Sequence, residues 1–442
     1  MFSFGYDFFD KDRGGIYEPN GIIGCENANG NVFKSFLPPW WGDYFEKYDI
    51  DFMCCGVNDI LGYDWIQDRW LYPLDLTDEP LRWFGKLQSK NYIESLFSGI
   101  SDITLNEIKS DNAIIFLYQA NEGFPFIWQV DDIKVNIFEE IHKELERLEI
   151  NPKNLIFIHA NFIMKKCYRK WKRDSKYANY ENFNLVEFNS HRYLDWDNTG
   201  PERGHLNYTF SKFDIKKDRK KYFLSFNREP RNHRVMLLSR LFQDGLLNKG
   251  YISCPKLDYP MVKDKWWLGS GNSTSEQKKI YVSPIKNLIP QAPLIIDGAD
   301  LNINQFNTSP EWPYEESYFS IVTETHFWEE TVFMSEKIWK PMANYHPFIL
   351  VGNCGTLKEL RKQGFKTFHP FIDESYDEIE NPYMRLEAIV KELNRLCNYK
   401  VDEIKSWYAD LESILKHNKS VLLNDTTTLM DFVDTMRSIV KK

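Results

Sequence analysis

Ser335, Glu336 and Lys337 stand side by side in FMSEKIWKPMANYHPFILVG (333–352), directly ahead of an apolar run. A hydroxyl at this point caps a helix. A lysine beside the free N–H groups of a helix N-terminus suits a diphosphate, and a carboxylate one residue away accepts hydrogen bonds from ribose hydroxyls. The plain alternative is a capped amphipathic helix with solvated charges. A second set lies in SFNREPRNHR (225–234), where Asn227, Arg228, Arg231 and Arg234 fall within one strand-to-helix connection. Guanidinium groups bind phosphate in a bidentate fork. Their plain alternative is pairing with Glu229 or another surface acid.

The flanking periodicities say what positions these side chains. KYFLSFN (221–227) reads as a buried strand and HRVMLLSRLFQ (233–243) as a helix with Val235, Leu238 and Phe242 on one face, closed by Gly245. YFSIVTET (318–325) is a strand, SEKIWKPMAN (335–344) a helix, and PFILVG (347–352) a strand. TLKELRKQG (356–364) is a helix with Thr356 as N-cap and Gly364 as terminator, and FKTF (365–368) a strand. Pro341 sits past the first turn of its helix, so a kink or a short helix is expected. Upstream, NAIIFLYQ (112–119), KVNIFEEIHKELERLEI (134–150) and KNLIFIHAN (153–161) form a strand–helix–strand unit, which implies a parallel sheet. KKCYRKWKRDSKYANYENFN reads as a basic and polar surface excursion, and LVEFNSHRYLDW as one further strand. Residues 1–105, rich in Trp, Tyr, Pro and Gly, read as long ordered loops and short helices. Residues 383–417 read as long helices.

The two charged sets in this order resemble the nucleotide-sugar-binding core of GT-B glycosyltransferases, especially the α1,3-fucosyltransferases. That family has a strand ending in an acid (here Glu324), a variable loop, a Thr-Glu-Lys triplet opening a helix (here Ser335-Glu336-Lys337) and a Pro-aliphatic-Gly strand. Upstream it has a strand–Ser–Asn loop and an Arg at a helix start (here Ser225, Asn227 and Arg234). The resemblance covers residues 220–370. It implies that Glu336 binds the ribose of a sugar donor, that Lys337 and Arg234 bind its diphosphate, and that Glu324 lies near the sugar or base. It also implies that the C-terminal helices brace the first domain.

The expected fold class is therefore α/β: two Rossmann-like domains facing a cleft. Residues 1–215 form an acceptor-side domain (irregular 1–105, α/β 106–215), 216–382 the nucleotide-sugar domain, and 383–442 C-terminal helices. The expected activity is metal-independent, inverting transfer from a nucleoside diphosphate sugar, a co-substrate rather than a cofactor, to an acceptor hydroxyl. Transfer needs a general base from the first domain. Glu122, directly after the strand 112–119, is the first choice, with Asp131 and Asn161 as acceptor-side candidates and His159 read as a core histidine. Asp131-Asp132 lacks the spacing of a metal-binding DxD site, and VGNCG (351–355) lacks a phosphate-loop pattern. The acceptor is expected to be a glycan, a lipid-linked sugar or a modified base in phage DNA. The alternative is a non-catalytic nucleotide- or glycan-binding protein on the same fold.

Composition sets the outer limits. The 442 residues carry a net charge of −9, which argues against wholesale nucleic-acid binding but leaves room for a local basic surface. KKCYRKWKRDSKY (165–177) is such a run. Seven cysteines without a CxxC, no basic leader and no apolar run near 18 residues point to a reducing cytoplasm (a host's, if phage-encoded) and no membrane span.

Overall fold

The computed structural model describes residues 1–7, 15–18, 21–25, 50–75, 97, 100–119, 123–130, 133–193, 207–208, 210–257, 280, 284–296, 308–309 and 311–442. The chain divides into two compact units, Met1–Leu194 with Thr426–Lys442, and Asp195–Asp425. The sequence reading set its boundaries at 215/216 and 382/383.

The first unit is built on β1 (Phe2–Tyr6), β2 (Phe52–Gly56), β3 (Trp70–Asp75), β4 (Ala113–Gln119), β5 (Leu155–His159) and β6 (Asn184–Glu187). They form one parallel sheet in the order β6-β5-β4-β3-β1-β2. Three of these strands lie in the region expected to be irregular. Each is short and the connections between them are long, so no periodicity builds up. Pro73 inside β3 also argues against a strand, but β3 meets β1 only at the pair Phe4↔Leu71, and Pro73 lies past it. Helices α1 (Asp102–Lys109), α2 (Ile137–Arg147) and α3 (Met164–Arg173) follow in this unit. Ile137, Phe138, Ile141 and Leu145 of α2 and Met164 and Tyr168 of α3 enter its core. The basic excursion is thus a helix, because its few apolar residues share one face. The start of the expected helix 134–150 is instead an antiparallel hairpin, Ile127–Val130 with Ile133–Asn136, and Asn136 then caps α2.

The second unit holds β7 (Lys221–Phe226), β8 (Gly250–Ser253), β9 (Ser317–Thr323) and β10 (Phe348–Val351), parallel in the order β8-β7-β9-β10. β8 went unpredicted: GYIS is four residues long, and its glycine is required by packing, since a Cβ at Gly250 would sit 2.1 Å from the Phe223 ring. Its helices are α4 (Asn232–Gln243), α5 (Glu336–Ala343), α6 (Thr356–Lys362), α7 (Pro382–Cys397), α8 (Val401–Asp410) and α9 (Glu412–Asn424). α5 ends two residues after Pro341, as a missing N–H predicts. FKTF is not a strand. The amide of Asn418 bonds both the N–H and the C=O of Lys366 (2.9 and 2.8 Å), and Glu374 takes the Phe368 N–H at 2.6 Å, so side chains satisfy this backbone in place of a neighbouring strand.

The last helix, α10 (Thr427–Val440), belongs to the first unit. Phe432 stacks on Phe188 at 4.2 Å, and the Val440 carbonyl accepts from the Arg69 N–H. Each unit is thus a Rossmann-like α/β layer structure. No helix among the described residues is long and apolar enough to cross a membrane.

Candidate functional site

In the second unit the strand order reverses between β7 and β9, because β8 flanks β7 on one side and β9 returns on the other. In open parallel sheets a ligand crevice lies outside the carboxyl ends of the strands at such a reversal. The residues there are Ser225 and Asn227 from β7 and Thr323 and Glu324 from β9. Asn227 is the hub. Its amide donates to Ser225 Oγ at 3.0 Å, its Oδ1 accepts from Thr323 Oγ1 at 3.0 Å, and its N–H donates to Ser253 Oγ at 3.1 Å. Asn227 and its three partners are all buried. This network holds the ends of three strands in one register.

Arg234, in the first turn of α4, is 3% exposed. Its guanidinium donates to the carbonyls of Glu229 (3.1 Å), Thr323 (3.2 Å) and Glu324 (3.2 Å). The carboxyl end of β9 thus has its outward carbonyls satisfied by a cation instead of water. Burial, with Arg231 nearby, lowers its pKa to about 10, against the pull of Glu324 and Glu336. Arg231 donates to the Thr325 carbonyl at 3.0 Å and, like Arg228, is exposed.

Glu324 is 1% exposed. Its carboxylate accepts from Ser335 Oγ at 2.6 Å, from the Ser335 N–H at 3.2 Å and from the Thr325 N–H at 3.3 Å. It thereby ties both ends of the loop 325–334 to β9. Burial raises its pKa, while Lys337 and Ser335 pull it down. Ser335 caps α5, accepting from the Lys337 N–H at 3.3 Å. Glu336 and Lys337 are an ion pair of 2.7 Å, where separate partners on ribose and phosphate were expected. The Lys337 side chain is 30% exposed and that of Glu336 7%. Burial lowers the Lys340 pKa to about 8, with Glu336 acting against it.

Asn227, Arg231 and Arg234 lie between the carboxyl end of β7 and the first turn of α4, and Glu324, Ser335, Glu336 and Lys337 between the carboxyl end of β9 and the first turn of α5. Arg234 and Glu324 are, however, committed to backbone and loop groups. The cations that face solvent are Arg228, Arg231 and Lys337. Sequence reasoning did not find Thr323, Ser253, Trp328 or Arg385. Trp328 donates to Asn232 Oδ1 at 2.6 Å and packs on Tyr383 at 5.1 Å. Arg385 donates to the carbonyls of Gly352, Ile379 and Phe327. Their signal lies in tertiary contact, with partners up to 96 positions away in sequence.

In the first unit, Glu122 and Asp131 lie outside the described residues. Asn161 is fully buried, and its Oδ1 accepts from the Ile163 N–H at 3.2 Å, a turn leading into α3. His159 is buried and accepts the Asn161 N–H on Nδ1. The strand reversal of this sheet lies between β1 and β3, where Asp7 accepts from Tyr72, from the Ser101 N–H and hydroxyl, and from Thr104. Asp7 therefore anchors the start of α1, whose N-cap is Ser101. Among the described residues no group of three or more His, Cys, Asp or Glu is placed to hold a metal ion.

No protein-family model matches the chain, and no curated protein matches it. Among solved structures it is similar to the pneumococcal O-GlcNAc transferase GtfA in complex with UDP and GlcNAc, at 14% identity and a TM-score of 0.35, over 76% of this chain and 55% of that one. It is also similar to an α,α-trehalose-phosphate synthase (UDP-forming) from Burkholderia vietnamiensis, at 12% identity and a TM-score of 0.32, over 73% of this chain and 68% of that one. The chain thus spans little more than half the length of the first of these. The functional reading rests on the site's own geometry: a cationic rim, two helix N-termini and a strand reversal at one sheet edge.

Proposed function

We propose that the second unit binds a nucleoside diphosphate sugar and that the protein transfers the sugar to an acceptor hydroxyl. The observation that carries this reading is the convergence of Arg228, Arg231 and Lys337 with the N-termini of α4 and α5 at the reversal between β7 and β9. Cations and helix dipoles at that position stabilise a leaving diphosphate. In the reaction, the bond from the anomeric carbon to the diphosphate oxygen breaks, and its electron pair leaves with the diphosphate. The acceptor oxygen bonds to the anomeric carbon, and its proton passes to a base, for which Glu122 is our candidate. Lys337 meets the phosphate by exchanging its partner Glu336, which is then free for the ribose. We further propose that no metal is needed and that the acceptor is a glycan or lipid-linked sugar. The resemblance to fucosyltransferases is an analogy that supports the same reading.

The test is calorimetric titration of the full chain with UDP, GDP, CDP and ADP in the presence of EDTA. At least one diphosphate is expected to bind. Lys337→Ala should weaken it at least about tenfold, equivalent to about 1.4 kcal/mol, and Lys337→Arg should retain most of the affinity. Unchanged affinity in the alanine variant, or binding of none of the four either in EDTA or with Mn²⁺ added, overturns the assignment. Binding lost in EDTA and restored by Mn²⁺ overturns metal independence. Binding without sugar release from any nucleotide sugar favours the non-catalytic reading.

A further inference from the structure

We infer that the outer face of α3 is a docking surface for the phosphate backbone of a nucleic acid. Lys165, Lys166, Arg169, Lys170 and Arg173 are all exposed, and their spacing of one and four residues puts them on one side of the helix. Met164 and Tyr168 are buried on the other side, with Cys167 and Trp171 packed against the same core. A chain of net charge −9 thus presents five cations within nine residues.

Helix stability does not account for this face. Lys170 and Arg173 in the last turn complement the helix dipole. Lys165 and Lys166 occupy the first turn, where cations oppose it. That turn has no acidic residue of its own and no side-chain N-cap; Glu187 supplies one acceptor, to the Lys165 N–H at 2.8 Å. Ion pairs account for only part of it. Among the described residues, Arg173 pairs with Asp174, whereas Lys165, Lys166 and Arg169 form no ion pair.

The character of the face selects the partner. A helix that lies on a membrane inserts an apolar side between the headgroups. Here the apolar side is already spent on the core, and no apolar residue of α3 is exposed. Tyr168 is buried and Trp171 is half-buried against the same core, so neither ring belongs to the exposed cationic row. What remains is a row of cations on a rigid rod about 15 Å long. A duplex presents one phosphate charge about every 1.7 Å of its axis, roughly nine over that length. The chemistry fits backbone contact without sequence reading, and at most a handful of phosphates.

The experiment is fluorescence anisotropy of the full chain with a labelled 20-base-pair duplex of arbitrary sequence, from 50 to 200 mM salt. Five phosphate contacts predict a slope of log K against log salt near −4.5, hence a loss of roughly 500-fold over that range. The variant Lys165→Gln/Lys166→Gln/Arg169→Gln should flatten the slope by about 2.7. A control variant with Lys109→Gln, Lys358→Gln and Lys441→Gln, all exposed lysines elsewhere, should leave it unchanged. Circular dichroism confirms that both variants are folded. No binding at 50 mM salt, an equal effect of the control, or an unchanged slope in the α3 variant each overturns the inference. Binding to phosphatidylserine vesicles but not to duplex overturns it in favour of a membrane partner.

Discussion

At the amino end of the second sheet, opposite the candidate site, His346 is fully enclosed. Its Nδ1 accepts from the Ser320 hydroxyl at 2.7 Å, and its Nε2 donates to the Ser317 carbonyl at 2.7 Å. That pattern holds the neutral imidazole in one tautomer. Burial lowers its pKa to about 3. The unfolded chain takes up a proton on this imidazole as pH falls below about 6.5, whereas the folded chain does not until about 3. Protons therefore favour the unfolded state, and acidification from pH 6.5 costs stability. His346→Gln is expected to be less stable than the parent at pH 7.5. The difference should shrink by about 1.4 kcal/mol per pH unit below 6.5. Urea midpoints of both chains at pH 7.5, 6 and 5 check this; a constant difference refutes it. The residues of the candidate site were legible because their types recur at short spacing: Arg228, Arg231 and Arg234 in one connection, Glu336 beside Lys337. Their partners were not. Arg234 meets carbonyls 89 and 90 positions away, and no local pattern records that.

Among the helices, α6 separates what a local signal can and cannot tell. Thr356 was expected to cap it. Instead the chain turns at Gly355, with φ of +83°, and the carboxylate of Asp377 accepts from the Leu357 and Lys358 N–H groups at 3.0 and 3.1 Å. A buried acid some twenty residues on thus does the work of an N-cap, at the positive end of the helix dipole. Asp377→Ala should cost about 1–3 kcal/mol, since it leaves two enclosed N–H groups without an acceptor. Asp377→Asn should recover part of this. Thermal melts of the three chains test it, and an alanine variant melting with the parent would refute the capping role. The terminators were legible: Gly245 and Gly364 have φ of +69° and +87°, which glycine adopts without strain. The long central strands were legible as apolar runs. The short strands β1, β2, β3 and β8 were not, because four to six residues bounded by long loops carry too little periodicity. FKTF misled in the opposite direction: its pattern is that of a strand, but the Asn418 amide occupies its backbone groups.

The chain as a whole leaves its first unit near residue 194, builds the second, and returns at residue 426. Helices over residues 383–442 were expected, and the family resemblance implied that they brace the first domain; α7, α8 and α9 belong to the second unit and α10 alone to the first. Periodicity shows that a helix must bury one side and not where. The structure gives α10 to the first unit. Leu429, Phe432, Val433, Met436 and Val440 are buried, and Arg192 and Arg69 bond to its two ends. Side chains of this kind contribute about 1.5–3 kcal/mol each when buried, so together they rival the net stability of about 5–15 kcal/mol typical of a whole domain. A chain ending at Asp425 should therefore lose the fold of residues 1–194 while residues 195–425, the unit to which α10 does not belong, remain folded. Limited proteolysis with mass spectrometry reads this directly. The expected product is a resistant fragment beginning near residue 195, with the first unit digested. Equal protection of both units in the truncated chain would mean that the first unit stands without α10, and that its burial there contributes little.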